Sequence, residues 1–143
     1  MASVSFAGHS ILIAEDEPLL AVDPRQCFEA VGAYAFTATQ FAQALSCAVH
    51  SNLSLAVLDY RVGEETSDAV CQHLEARGIP FIFYTGHDDM LRHWPDAVVS
   101  KSNPTPRLIE HAAAVLRSHD YSVARQQAPS PGPYVAQGPT TKA

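Results

Sequence analysis

The chain has 143 residues, 47% of them hydrophobic and 17% charged, with a formal net charge of −6. That length supports one domain with a real core. The acidic balance and the lack of any basic run argue against a nucleic-acid partner. The start, Met1-Ala2-Ser3-Val4-Ser5-Phe6-Ala7, lacks the charged and long apolar parts of a signal peptide. No apolar stretch is long enough to span a bilayer. A cytoplasmic protein with no membrane partner is expected.

Short β-like runs alternate with helix-like segments. The first strand is expected over 10–14, then a helix over 19–32 with Leu19, Val22, Gln26, Phe28 and Val31 on an imperfect apolar face, closed by Gly32. Pro24 inside it cannot donate to the Leu20 carbonyl, so Asp23-Pro24 predicts a kink or restart. A short strand over 34–37 precedes a helix over 41–49, for which Thr39 is the expected N-cap. Strand three is Leu55-Ala56-Val57-Leu58-Asp59, followed by an acidic surface loop at Gly63-Glu64-Glu65 and a helix over 67–77 closed by Gly78. Strand four spans 79–85 and strand five 97–100. The link between them, 86–96, is close to the minimum of about 10–12 residues for a crossover, so the fourth helix is expected to be short or distorted. A fifth helix over 106–118 has Thr105 as N-cap, Pro106 in its first turn, and Leu108, Ile109, Ala112, Val115 and Leu116 as its apolar stripe.

Alternating strands and helices imply βαβ units: an α/β fold with a doubly wound parallel sheet of five strands, whose ligands sit outside the carboxyl ends of the strands. Residues 1–8 read as an N-terminal extension and 9–118 as the domain. Residues 119–143, rich in Pro, Gly and Gln, read as a disordered tail. Cys27, Cys47 and Cys71 form an odd set without close spacing, which argues for buried free thiols rather than disulfides or zinc. The seven histidines, His9, His50, His73, His87, His93, His111 and His119, show no metal-ligand spacing.

Two apolar runs deliver acid at the same sheet edge: Ile11-Leu12-Ile13-Ala14 ends on Glu15-Asp16, and Leu55-Ala56-Val57-Leu58 ends on Asp59. Three converging carboxylates repel one another unless a cation or a proton intervenes. Glu15-Asp16 alone would read as the cap of the helix that follows. With Asp59 in the equivalent place on another strand, a divalent site is the better account. Magnesium suits a shallow site of one or two carboxylates, a carbonyl and waters. Asp16 and Asp59 are the expected direct ligands, Glu15 acts through water, and the Arg61 backbone carbonyl supplies a further oxygen. Thr85 ends strand four and Lys101 ends strand five. A hydroxyl and an ammonium beside three acids make a phosphoryl pocket. Asp59 is the expected nucleophile and phosphoacceptor, Thr85 bonds a phosphoryl oxygen, and Lys101 offsets its charge.

These residues resemble the receiver domain of two-component response regulators. The resemblance rests on Ile11-Leu12-Ile13-Ala14-Glu15-Asp16-Glu17-Pro18, Val57-Leu58-Asp59, Phe83-Tyr84-Thr85-Gly86 and Val99-Ser100-Lys101, and covers about residues 9–118. Within the family the chain is similar to stand-alone regulators whose fourth strand reads Phe-Ala-Thr-Gly-x-Tyr. The resemblance implies a flavodoxin-like fold with strand order 2-1-3-4-5 and Mg2+ as cofactor. It implies phosphorylation by a sensor histidine kinase or a histidine phosphotransfer protein, and a role as relay, sink or protein-binding switch with a downstream protein target. It implies no catalysis beyond the protein's own phosphorylation and dephosphorylation. Two departures stand out. Many receivers carry Tyr or Phe three residues before the lysine, where this chain has Val98, so the switch coupling Thr85 to that position cannot operate unchanged. Lys101-Ser102-Asn103-Pro104 replaces the usual lysine-proline pair. Arg61 and His87, two residues beyond Asp59 and Thr85, are placed to tune hydrolysis of the acyl phosphate. Trp94, His93 and Arg107 are candidates for a partner surface around the fourth helix, fifth strand and fifth helix.

Two other functions compete. A phosphorylation-independent pseudo-receiver, acting as an interaction scaffold, is favoured by Val98 and opposed by the intact acidic set. A phosphatase of the aspartyl-phosphate type normally has a second Asp two residues after the nucleophile, where this chain has Arg61.

Overall fold

The structure is a computed structural model that describes residues 4–86 and 98–127. Its main sheet is parallel and five-stranded: β1 (Ser10–Ala14), β2 (Tyr34–Ala38), β3 (Leu55–Leu58), β6 (Phe81–Thr85) and β7 (Val98–Ser100), in the spatial order β2-β1-β3-β6-β7. This is the expected 2-1-3-4-5 order, with a small antiparallel pair, β4 (Arg61–Val62) and β5 (Glu65–Thr66), inserted after β3. The described helices are α1 (Pro18–Ala30), α2 (Phe41–His50), α3 (Asp68–Ala76) and α4 (Thr105–Gln127).

Alternation along the strands sorts the core into two layers. Ile11, Ile13, Leu55, Val57, Ile82 and Val99 face one cluster with Phe28 of α1 and Leu108, Ile109 and Ala112 of α4. Leu12, Ala14, Ala56, Leu58, Phe83 and Val98 face the other, with Ala44 and Ala48 of α2 and Val70 and Leu74 of α3. Every residue of β3 is buried, as a strand covered on both faces must be. Each buried Leu, Ile or Phe side chain contributes about 1.5–3 kcal/mol, so these two layers carry the fold.

Several expectations need correction. The helix expected to kink or restart at Asp23-Pro24 is one segment, Pro18–Ala30, with Pro18 in its first turn and Pro24 inside it. Pro24 is buried with Ala21 and Phe28, and that spacing sets the inward face. Leu19, expected in the core, is therefore 86% exposed, and Val22 is exposed too. Thr39 does not cap α2: Gln40 is the N-cap residue, and the Gln43 side chain instead accepts from the Thr39 N–H at 3.1 Å. Of the loop expected at Gly63-Glu64-Glu65, Gly63-Glu64 is the turn of the β4–β5 pair, with Gly63 at φ +66°, and Glu65 already belongs to β5. Only Cys71 is buried; Cys27 and Cys47 are half-exposed, and all three are free. The last helix passes Ser118 and runs to Gln127, so the segment expected to be disordered from 119 begins as helix.

The N-terminal extension is part of the core. Phe6 is buried, its ring meets Phe28 edge-on at 5.4 Å, and its N–H donates to the Val31 carbonyl at 2.7 Å. The expected short fourth helix, with His87, His93 and Trp94, lies outside the described residues, as does 128–143.

Candidate functional site

The chain leaves β1 for β2 on one side and returns to β3 on the other. The carboxyl ends of β1 and β3 are thus neighbours, with Ala14 paired to Leu58, and such a reversal point opens a crevice. Backbone bonds carry the order past the strand ends: Glu15 N–H to the Ala38 carbonyl, Asp59 N–H to that of Ala14, and Lys101 N–H to that of Thr85, each at 2.9 Å. Glu15, Asp59, Thr85 and Lys101 therefore stand on fixed backbone.

Their side chains meet. Lys101 Nζ donates to Asp59 Oδ2 at 2.8 Å and also to Glu15 Oε1. Thr85 Oγ1 donates to the other Asp59 oxygen, Oδ1, at 3.1 Å. Glu15 Oε2 accepts from the Glu17 N–H at 3.1 Å. Asp16, partly exposed, accepts on Oδ2 from the Gly63 N–H of the β4–β5 turn at 3.1 Å.

Burial and pairing set the electrostatics. Glu15 is buried, and that burial pushes its carboxyl up from the usual range, against the opposing hydrogen bond from Lys101. Burial works to lower the Lys101 ammonium, but its bonds to Asp59 and Glu15 outweigh this and leave it raised, firmly charged at neutral pH. One carboxylate oxygen from each of Glu15, Asp16 and Asp59 lies within 4.8 Å of the others, among the described residues. Three hard oxygen donors that close fit a small divalent cation such as Mg2+. A groove of about 370 Å³, with Leu19, Leu20, Tyr84 and Pro104 on its walls, opens beside Lys101.

Glu15, Asp16, Asp59, Thr85 and Lys101 are thus brought to one place. Arg61 is exposed on β4. Val98 is buried opposite Phe83 in the core layer beneath the site, rather than standing beside Thr85 at the surface. His87 lies outside the described residues. The sequence reading missed Ser67: its Oγ donates to the Asp59 carbonyl at 2.6 Å. The available signal was a polar triplet, Thr66-Ser67-Asp68, opening α3 close behind Asp59.

No family model and no curated protein matches the sequence. Solved structures do match in shape. The chain is similar to a response regulator receiver domain protein (CheY-like) from Methanospirillum hungatei, at 20% identity and a TM-score of 0.70, over 84% of this chain and 99% of that one. It is similar to the signal receiver domain of a putative Luxo repressor protein from Vibrio parahaemolyticus, at 19% identity and 0.72, over 84% and 98%. It also matches the response regulator PhyR from Brucella abortus, at 22% identity and 0.74, over 87% of this chain but 54% of that one. The class is settled at the level of architecture: the chain has the flavodoxin-like fold of response regulator receiver domains. No described helix is long and apolar enough to cross a membrane.

Proposed function

We propose that the protein is a response regulator receiver domain in cytoplasmic two-component signalling, phosphorylated on Asp59. The observation that carries this reading is the pairing of both Asp59 oxygens, Oδ2 with Lys101 and Oδ1 with Thr85, beside Glu15 and Asp16. A carboxylate kept only for structure has no need of two strand-end donors and two neighbouring acids.

In the reaction, an Asp59 oxygen attacks the phosphorus of a phosphohistidine on a sensor kinase or histidine phosphotransfer protein. The new O–P bond forms as the P–N bond breaks, and the leaving imidazole takes up a proton. Lys101 stays charged through the transfer and offsets the negative charge of the phosphoryl group. Thr85 exchanges its bond to Asp59 for one to a phosphoryl oxygen. Asp16 and Asp59, with Glu15 through water and the Arg61 carbonyl, would hold Mg2+, which supplies charge neutralisation. Arg61 and His87 tune hydrolysis. The protein catalyses only its own phosphorylation and dephosphorylation, and acts on others by binding or by passing phosphate on.

The test is acetyl phosphate with Mg2+, read by intact mass. One added phosphoryl group that disappears in Asp59→Asn supports the proposal; equal labelling of both, or none, sinks it. Val98 favours a second reading, a pseudo-receiver scaffold, because a buried valine against Phe83 cannot swing as a surface aromatic does. A scaffold would show no saturable, Asp59-dependent response to Mg2+.

A further inference from the structure

Asp59 sits one residue past β3, whose pairing with β6 ends at Leu58 opposite Phe83. Its N–H still reaches the Ala14 carbonyl of β1, and its own carbonyl lies past the last paired residue of the strand. The Ser67 hydroxyl donates to that carbonyl at 2.6 Å. Ser67 is itself fixed: its N–H donates to the Tyr60 carbonyl at 2.7 Å, and its carbonyl accepts from the Cys71 N–H at 2.9 Å in the first turn of α3. It is fully buried. The buried polar residues among those described are Glu15, Ser67 and Thr85, and the other two face Asp59.

We propose that Ser67 is a positioning residue for Asp59: its buried hydroxyl pins the Asp59 carbonyl and so holds the carboxylate in register with Lys101 and Thr85. The proposal rests on the phosphoacceptor role of Asp59. With the N–H held by β1 and the carbonyl held by α3, the backbone of the nucleophile cannot rotate. Without the hydroxyl, the partly buried carbonyl loses its donor and the peptide is free to turn toward another. The carboxylate would then drift from the 2.8 Å and 3.1 Å contacts it makes now. Misplacement of a reacting group by about 1 Å costs up to about 10²-fold in rate.

The experiment compares the rate of Asp59 labelling by saturating acetyl phosphate and Mg2+ with the Mg2+ affinity from calorimetry, in wild type, Ser67→Ala and Ser67→Thr. Ser67→Ala is expected to slow labelling by about tenfold or more and, because the Asp59 carboxylate is also an expected Mg2+ ligand, to weaken Mg2+ binding in the same variant. Ser67→Thr, which keeps the donor, restores the rate. Wild-type labelling in folded Ser67→Ala, or equal loss of labelling and of Mg2+ affinity in Ala and Thr, would overturn the proposal. If Ser67→Ala does not fold, Ser67→Cys is set against Ser67→Thr: the weak thiol donor must slow labelling where the hydroxyl does not, and equal rates overturn the proposal. Failure of the wild type to label at all would instead overturn the phosphoacceptor reading.

Discussion

The Lys101 ammonium lies 2.8 Å from Asp59 Oδ2 and bonds Glu15 at the same time, so one cation from β7 ties together acids delivered by β1 and β3. Removing it leaves Glu15 and Asp59 facing each other without a counter-charge. Lys101→Met should therefore slow phosphorylation by about 10²-fold, the usual loss for one preorganised charge donor. It should also destabilise the apo fold by about 1–3 kcal/mol, since buried acceptors lose their donor. Labelling kinetics and urea unfolding measure the two effects. A variant that labels at the wild-type rate refutes the role given to Lys101.

Glu15 carries the opposite sign of effect. Its folded carboxyl is raised above its ordinary value of 4.5 because it is buried. The folded state then binds protons more readily than the unfolded chain as pH rises past 4.5. Stability from this group is full below that pH and is lost on going up through the raised folded value. Glu15→Gln cannot titrate and should lack this fall. In EDTA, the unfolding free energy of wild type minus that of Glu15→Gln should decrease as pH rises above about 4.5. A flat or rising difference in urea titrations would refute the assignment.

Much of the site was legible because its residues end apolar runs. Glu15, Asp16, Asp59, Thr85 and Lys101 each follow a stretch with no other role than a buried strand, and a parallel sheet brings such ends together. Ser67 was not legible, because its bond goes to a backbone carbonyl and a carbonyl leaves no mark on composition. The β4–β5 pair was missed for a related reason: two-residue strands are too short to show a period. The face of α1 was misjudged because Leu19 and Val22 are the larger apolar residues, yet Pro24 packs inward and turns them to solvent.

The β4–β5 turn is held by Gly63, whose φ of +66° lies in the left-handed region. A Cβ there would meet nothing within 4 Å, so substitution strains the backbone alone. Gly63→Ala should cost about 1–2 kcal/mol in unfolding free energy, the penalty of that region for an L-residue. Because the Gly63 N–H also donates to Asp16, the variant should shift Mg2+ affinity as well. An unchanged unfolding midpoint would show that the turn simply rearranges.

Cys71 offers an alkaline probe of the α3 layer. Burial, with Asp68 and Glu75 adding to it, pushes its thiol up from 9.0 to about 12. The native thiol stays protonated where the unfolded one ionises, so its contribution to stability is full below pH 9 and is lost as pH rises toward 12. Cys71→Ala should show a shallower fall of stability across that range. Native Cys71 should also resist thiol reagents at pH 8 until the chain unfolds, because only the thiolate reacts. Rapid modification of Cys71 without unfolding would contradict its placement.

Phe6 tests where the domain begins. Composition alone gives no reason to count one aromatic near the chain start as core. The structure seats it against Phe28 under α1, with its N–H bonded to Val31 at the end of that helix. Gly32 fits close beneath the same arm, where an added Cβ would lie 3.3 Å from the Ala7 nitrogen. Phe6→Ala should therefore cost about 3–5 kcal/mol, the range for emptying a buried aromatic site. Deletion of residues 1–8 should cost at least as much, since it removes the ring and the Val31 bond together. Denaturant unfolding of the two variants decides the matter: a truncated chain as stable as wild type would place Phe6 outside the core, whereas equal losses would fix the domain edge at the arm rather than at His9.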